Sequence, residues 1–200
     1  MLDVAQCAFL DLGYAEATLD RIARDAGVAK KTLYEHFGDK EGLFAAVLQR
    51  LRQVWIAGLQ DVVTESADLR AALQGAARHL LDVGTRPDMV GLHRLLLLEA
   101  RRFPKLINAS YDKRGARVDM GPLSNYLRSA ANDGLLQFDD VDLATEQFVH
   151  LVLGGIRMRM LRGVSPTPDA ETRARIARQA VRIFLHGCRS PTIADSRRHR

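Results

Sequence analysis

Apolar residues recur along this chain at three- and four-residue intervals, the period of helices buried on one face. Residues 2–12 put Leu2, Ala5, Phe9 and Leu12 on one side, and Gly13 is expected to end that helix in a left-handed cap. Thr18, with Asp20 behind it, reads as the N-cap of a helix over 19–26. Gly27 supplies a tight turn, a short helix follows over 30–36, and Gly38 stops it. Asp39 then caps a helix over 40–64 that carries Leu43, Phe44, Val47, Leu48, Leu51, Trp55 and Leu59. Further helices are predicted at 68–85, 89–102, 105–114, 117–133, 140–163 and 169–187. Arg86-Pro87-Asp88, Phe103-Pro104, Asn132-Asp133-Gly134 and Ser165-Pro166-Thr167-Pro168 punctuate them. Strand-like alternation is absent, so the expected fold class is all-α. No Pro/Ser-rich linker interrupts 40–64, so one helix is expected to join the first part to the rest. The polar, basic end from Ser190 reads as a disordered tail. The division expected is 1–46, 47–189 and a tail over 190–200.

The short segment over 30–36 changes what this pattern means. On a helical wheel at about 100° per residue, Leu33 and Phe37 share one face and are expected to pack on Phe9, Ile22 and Ala23. Lys31, Thr32 and Glu35 point the opposite way, with Lys30, Tyr34 and His36 on the flanks. A tight glycine turn before such a helix, and a capped helix right after it, is how a helix-turn-helix presents a recognition helix to the DNA major groove. In that setting Lys31 suits guanine O6/N7, and Thr32 suits a base edge or a thymine methyl. Glu35 either accepts from cytosine N4 or repels phosphate and restricts register. Tyr34 and His36 suit phosphates, as does Lys40 at a helix N-terminus. Each residue taken alone also has an ordinary reading: Lys30-Lys31 as a solvated face, Tyr34 as a half-buried aromatic, His36 as a structural histidine.

Charge neither makes nor breaks this reading. The chain carries +5 overall, but residues 1–50 hold six Lys/Arg against eight Asp/Glu, a balance of −2 that leaves +7 for residues 51–200. Phosphate attraction in the first part must therefore come from local placement. Cys7 and Cys188 form no CxxC pair and are expected to be reduced packing residues of a cytoplasmic protein. No apolar run reaches membrane-spanning length, and Met-Leu-Asp-Val-Ala-Gln lacks the basic start of a signal peptide. HExxH, GxSxG, GxGxxG and GxxxxGK[ST] are all missing, and the carboxylates and histidines are scattered. No catalytic residue, metal ligand or cofactor is expected.

The residues Ala8-Phe9, Gly13-Tyr14, Thr18, Ile22-Ala23, Ala26-Gly27-Val28, Thr32-Leu33-Tyr34, His36-Phe37, Lys40-Glu41 and Leu43-Phe44 resemble the start of the tetracycline-repressor (TetR) family of bacterial regulators. The resemblance implies an all-helical protein that binds a palindromic operator as a homodimer and releases it when a small molecule enters the C-terminal part. It also implies DNA contact by Thr18, Lys30, Tyr34, His36 and Lys40. Three departures stand out. Ala29 occupies a position often held by a Ser or Thr that caps the helix and touches phosphate, and Lys31 replaces a frequent Gly. The chain also begins inside the first helix without a basic arm, which implies either an upstream start or reduced DNA affinity. Leu98 to Leu106, Ala130 to Gly134 and Phe138 to Gly155 resemble the C-terminal domain of the AefR-like subgroup.

The last two long helices are the expected dimer elements. Phe148, Leu151, Val152, Gly154-Gly155, Ile156 and Met158 on one, with Ile176, Val181, Ile183, Phe184 and Leu185 on the other, suit a four-helix bundle between two copies. The alternative is that they pack within one subunit. An effector pocket is expected among Trp55, Leu59, Met89, His93, Leu96, Leu97, Tyr111, Tyr126 and Phe148, whose apolar and aromatic character suits a hydrophobic or amphipathic compound. An activator, or an architectural DNA binder without an inducer, remains an open alternative.

Overall fold

A computed structural model describes residues 1–64, 68–99, 101–103 and 120–188. The helices among them are α1 (Leu2–Glu16), α2 (Leu19–Asp25), α3 (Lys30–Phe37), α4 (Lys40–Thr64), α5 (Leu69–Gly84), α6 (Pro87–Glu99), α7 (Gly121–Asn132), α8 (Val141–Leu161) and α9 (Ala170–Cys188). No β-strand occurs among the described residues. The all-α expectation holds, and most boundaries fall within two residues of the sequence reading. The predicted helix at 105–114, Tyr111 and the tail from Ser190 lie outside the described residues.

Side-chain caps account for several boundaries. Asp39 Oδ1 accepts from the Gly42 amide at 2.7 Å, and Asp68 Oδ1 accepts from Ala71 at 2.7 Å. Asp140 Oδ1 accepts from both Asp142 and Leu143 at 2.9 Å. Such caps each contribute about 1 kcal/mol. Two of the boundaries that differ from expectation have a local cause. Gly13 has φ 81° and ψ 166°, a positive-φ conformation that suits glycine but is not left-handed helical, so it kinks α1, which resumes to Glu16 instead of stopping. Pro87 starts α6 at its first residue, where its missing N–H costs nothing.

The described residues form two packing units. One combines Met1–Val54 with the described part of Pro87–Asp119, and the other combines Trp55–Arg86 with the described part of Met120–Arg200. α4 therefore contributes to both.

In the first unit α1 packs on α2 and α6, and α2 packs on α3. Phe9, Tyr14, Ile22, Leu33, Leu43, Phe44 and Val47 are buried there with Leu92 and Leu95 of α6, while Met89 and Leu96 pack around them. Each large side chain so buried contributes about 1.5–3 kcal/mol. A Cβ at Gly42 would run into the Phe37 carbonyl, so only glycine lets the first turn of α4 follow α3 this closely. Cys7 is exposed on α1 rather than packed, because the buried face there belongs to Ala5, Ala8 and Phe9.

In the second unit α5 packs on α8 and α9, α7 packs on α8, and α8 packs on α9. Leu73, Leu80, Leu123, Leu127, Phe148, Val152 and Val181 fill its centre with Trp55 and Leu59. His79 Nε2 lies 2.9 Å from the Trp55 carbonyl, in space left by Gly58.

Candidate nucleic-acid interface

The α2–turn–α3 corner behaves as the hydrophobic pattern requires. Gly27 takes φ 65° at the turn, and Gly38 takes φ 76° where α3 ends. Leu33 is fully buried and Phe37 packs beside it, in the same core as Phe9, Ile22 and Ala23. These two anchors turn Lys30, Lys31, Tyr34, Glu35 and His36 to solvent, while Thr32 is half-buried. Tyr34 is 45% exposed.

Ion pairs organise this surface. Lys31 and Glu35 face each other one turn apart at 3.6 Å, both well exposed. Such a pair contributes about 0.3–0.5 kcal/mol, whereas a good base-edge contact is worth about 1–3 kcal/mol, so a base can separate the pair at little cost. Lys30 is paired with Asp20 on α2 and lies 5.7 Å from the Tyr34 ring centre. That hydrogen bond from Lys30 to Asp20 raises the ammonium pKa and keeps it protonated. Asp20 is a contributor the sequence reading missed. From the sequence Asp20 reads only as an acid in the first turn of α2, yet the tight turn brings α3 back alongside α2 and places Asp20 next to Lys30.

Thr18 is the α2 N-cap as expected, and its hydroxyl accepts from the Arg21 amide at 3.3 Å. Ala29 occupies the α3 N-cap position and makes no side-chain cap.

Lys40 departs from expectation. Its ammonium is turned away from solvent and donates to the carbonyls of Tyr14 at 2.8 Å and Ala15 at 2.9 Å, over the Tyr14 ring at 4.6 Å. Burial lowers its pKa, against the fields of Glu16 and Glu99. Kinking at Gly13 puts these last-turn carbonyls of α1 within its reach, which no sequence spacing announces.

Tyr14 itself is 1% exposed, and burial, followed by the fields of Glu41, Asp39 and Glu99, pushes its hydroxyl up to about 12 from 10.0. Below pH 10 the phenol is protonated both folded and unfolded. Between about pH 10 and 12 only the unfolded chain ionises, so stability falls as pH rises through that window, by up to about 3 kcal/mol. Tyr14→Phe is expected to lose this decline in denaturant titrations at pH 9 to 12. The comparison isolates Tyr14 from Lys40, whose lowered pKa acts with the opposite sign.

A family model described as "Bacterial regulatory proteins, tetR family" matches residues 1–47, and one described as "AefR-like transcriptional repressor, C-terminal domain" matches residues 71–187. The chain belongs to the TetR family. It is therefore a DNA-binding transcriptional regulator of the helix-turn-helix type, not an enzyme. This TetR-family chain is 38% identical over 82 residues to the HTH-type transcriptional activator FasR of Mycolicibacterium smegmatis. That match covers 41% of this chain and only 37% of FasR. A TetR-family regulator from Mesorhizobium loti has a solved structure with TM-score 0.82 at 26% identity, covering 94% of this chain and 95% of that one. The structure of the flavonoid-responsive regulator FrrA has TM-score 0.70 at 29% identity, covering 95% and 97%.

The remaining candidate residues of this TetR-family regulator divide between the two units. Met89, His93, Leu96 and Leu97 stand on α6 in the first. Met89 and Leu96 pack on its core, and Leu97 is 58% exposed. Trp55, Leu59, Tyr126 and Phe148 belong to the second. There Leu59 and Phe148 are fully buried, Phe148 stacks edge-on to Phe184 at 4.9 Å, and Trp55 Nε1 points to Met120 Sδ at 3.2 Å. Burial raises the Tyr126 hydroxyl pKa, with the field of Asp68 adding to it.

The residues expected at a dimer face differ in their exposure. Val152, Ile156, Val181, Phe184 and Leu185 are buried inside their own subunit, because the faces of α8 and α9 that bear them pack on each other and on α5. Leu151 and Gly155 remain exposed, together with Leu143, Met158 and Ile183. Among the described residues, no helix is long and apolar enough to cross a membrane.

Proposed function

We propose that this regulator is a repressor that binds a palindromic operator as a homodimer and leaves it when a small hydrophobic or amphipathic effector binds. The observation that carries the reading is the outward face of α3. Lys31, Tyr34, Glu35 and His36 stand toward solvent over an anchored Leu33, with Thr32 half-buried beside them, and the Lys31–Glu35 pair across this face is weak. Lys31 reads guanine, Glu35 reads cytosine N4, Thr32 touches a base edge or thymine methyl, and Tyr34, His36, Lys30 and Thr18 face phosphates. Residues 1–46 form the DNA-binding part, and 47–189 bind effector and partner.

The dimer face proposed is the exposed stripe of α8, namely Leu143, Leu151, Gly155 and Met158, with Ile183 of α9. The small Gly155 allows close helix approach in a four-helix bundle. Two recognition helices then meet half-sites about 34 Å apart. The AefR-like repressor match supports repression, and the printed response of FrrA to flavonoids supports an apolar effector. Trp55 and Tyr126 are the proposed effector contacts with polar atoms to offer. The named activity of FasR favours activation as the second reading.

Fluorescence anisotropy with DNA flanking the chain's own gene, with and without a panel of hydrophobic compounds, tests this. Specific binding reversed by a compound supports the proposal. Specific binding that no compound reverses would remove the effector from it.

A further inference from the structure

The corner where α1 meets α4 holds a polar arrangement that the DNA-reading face does not use. The last-turn carbonyls of Tyr14 and Ala15 receive the Lys40 ammonium at 2.8 and 2.9 Å. These are orphan acceptors of a helix end, where a cation is favoured by both hydrogen bonding and the helix dipole. The Tyr14 ring lies beneath that ammonium at 4.6 Å and is enclosed by Phe44 at 5.3 Å and Phe103 at 4.7 Å, both edge-on. Phe103 lies four residues past α6, its amide donating to the Glu99 carbonyl at 2.8 Å, and Glu99 at the end of α6 acts electrostatically on both Tyr14 and Lys40. The Glu99 side chain is only 13% exposed, and its Oε2 is buried without a hydrogen bond. One corner thus joins the end of α1, the first turn of α4 behind the recognition helix, and the end of α6.

We propose that Lys40 is a positioning residue and not a phosphate ligand: its ammonium clamps the end of α1 to the start of α4 and so sets the attitude of α3 that DNA binding requires. Three features argue for it. Two of the three ammonium donors are already committed to backbone acceptors at short distance. Reaching a phosphate would strip those carbonyls of their partner. The ring contact with Tyr14 holds the same geometry from below, and Tyr14 is in turn fixed by α6 through Phe103. A shift of the α6 end therefore reaches the mount of the recognition helix through Tyr14 and Lys40. This inference rests on the DNA-binding reading but not on any effector.

Salt-dependent binding separates the roles. The probe is the tightest duplex that the wild-type chain selects from a random DNA pool. If selection yields no duplex, the DNA-binding reading itself fails, which is distinct from failure of the clamp. With Lys40→Gln the clamp predicts about a tenfold loss of affinity with the slope of log K against log salt unchanged. A phosphate ligand predicts a slope reduced in magnitude by about 0.9 for each protomer, and that result overturns the proposal. A lower melting temperature with unchanged affinity also overturns it, because the contact would then stabilise without positioning. Should Lys40→Gln not fold, nitrogen NMR of the Lys40 ammonium in the wild-type chain decides. Its hydrogen-bonded signal is expected to persist when the duplex is added, and a move to a phosphate-bound signal overturns the clamp.

Discussion

Phe44→Ala is expected to lower the stability of the DNA-binding unit by about 3–5 kcal/mol. Phe44 is fully buried, edge-on to Phe9 at 4.9 Å and to Tyr14 at 5.3 Å, in the core that also holds Leu33. Removing the ring opens a cavity between α1 and α4 that the helices cannot close without moving. A domain of this size has about 5–15 kcal/mol in total, so the variant sits near its folding threshold at 37 °C. Urea titration followed by Tyr and far-ultraviolet signals measures the shift. DNA binding should fall with the folded fraction, since α3 has a single fully buried anchor, Leu33, and loses its support. A shift below about 1 kcal/mol would mean the site collapses freely, against the packing described.

The second large effect concerns assembly. Leu151→Glu is expected to give a monomer whose own fold is nearly unchanged, because the side chain is 39% exposed on α8. At a symmetric interface each copy would meet the partner's equivalent patch, so the new charge is buried twice against apolar surface. A loss of at least about 2 kcal/mol in association follows, and a palindromic duplex would then be bound through one half-site at a time. Light scattering and anisotropy on the same sample measure both consequences. Ile156→Ala provides the contrast: Ile156 is 5% exposed within its subunit, so that change should lower thermal stability while leaving the dimer intact. If Leu151→Glu stays dimeric while Ile156→Ala dissociates, the exposed stripe is not the dimer face and the Val152–Ile156 side of α8 is.

Particular residues show how far the sequence could be read. Helix spans were legible because amphipathic period, caps and breakers are local properties. Asp39, Asp68 and Asp140 sit where their carboxylates meet free amides, whatever the rest of the chain does. The recognition helix was legible for the same reason, since Leu33 and Phe37 at helical spacing determine which residues must face out. Which apolar stripe of α8 is buried inside the chain was not. α8 bears apolar residues on more than one side, at Leu151 and Met158 and also at Val152 and Ile156, and a wheel cannot say which stripe meets α5 and α9. The burial of the pocket candidates was hidden for a similar reason. Large apolar residues fill cores as readily as they line cavities, and Leu59 and Phe148 proved to be core.

By itself the sequence determined an all-helical chain, the turn at Gly27, the outward set on α3 and membership of the TetR family, because each follows from local stereochemistry or from a motif of fixed spacing. Only the tertiary structure decided that Lys40 faces α1, that Lys30 is held by Asp20, and that α8 presents Leu151 rather than Val152. Those outcomes depend on which helix packs against which, over separations of ten to many tens of residues. Side-chain periodicity carries no information about such separations.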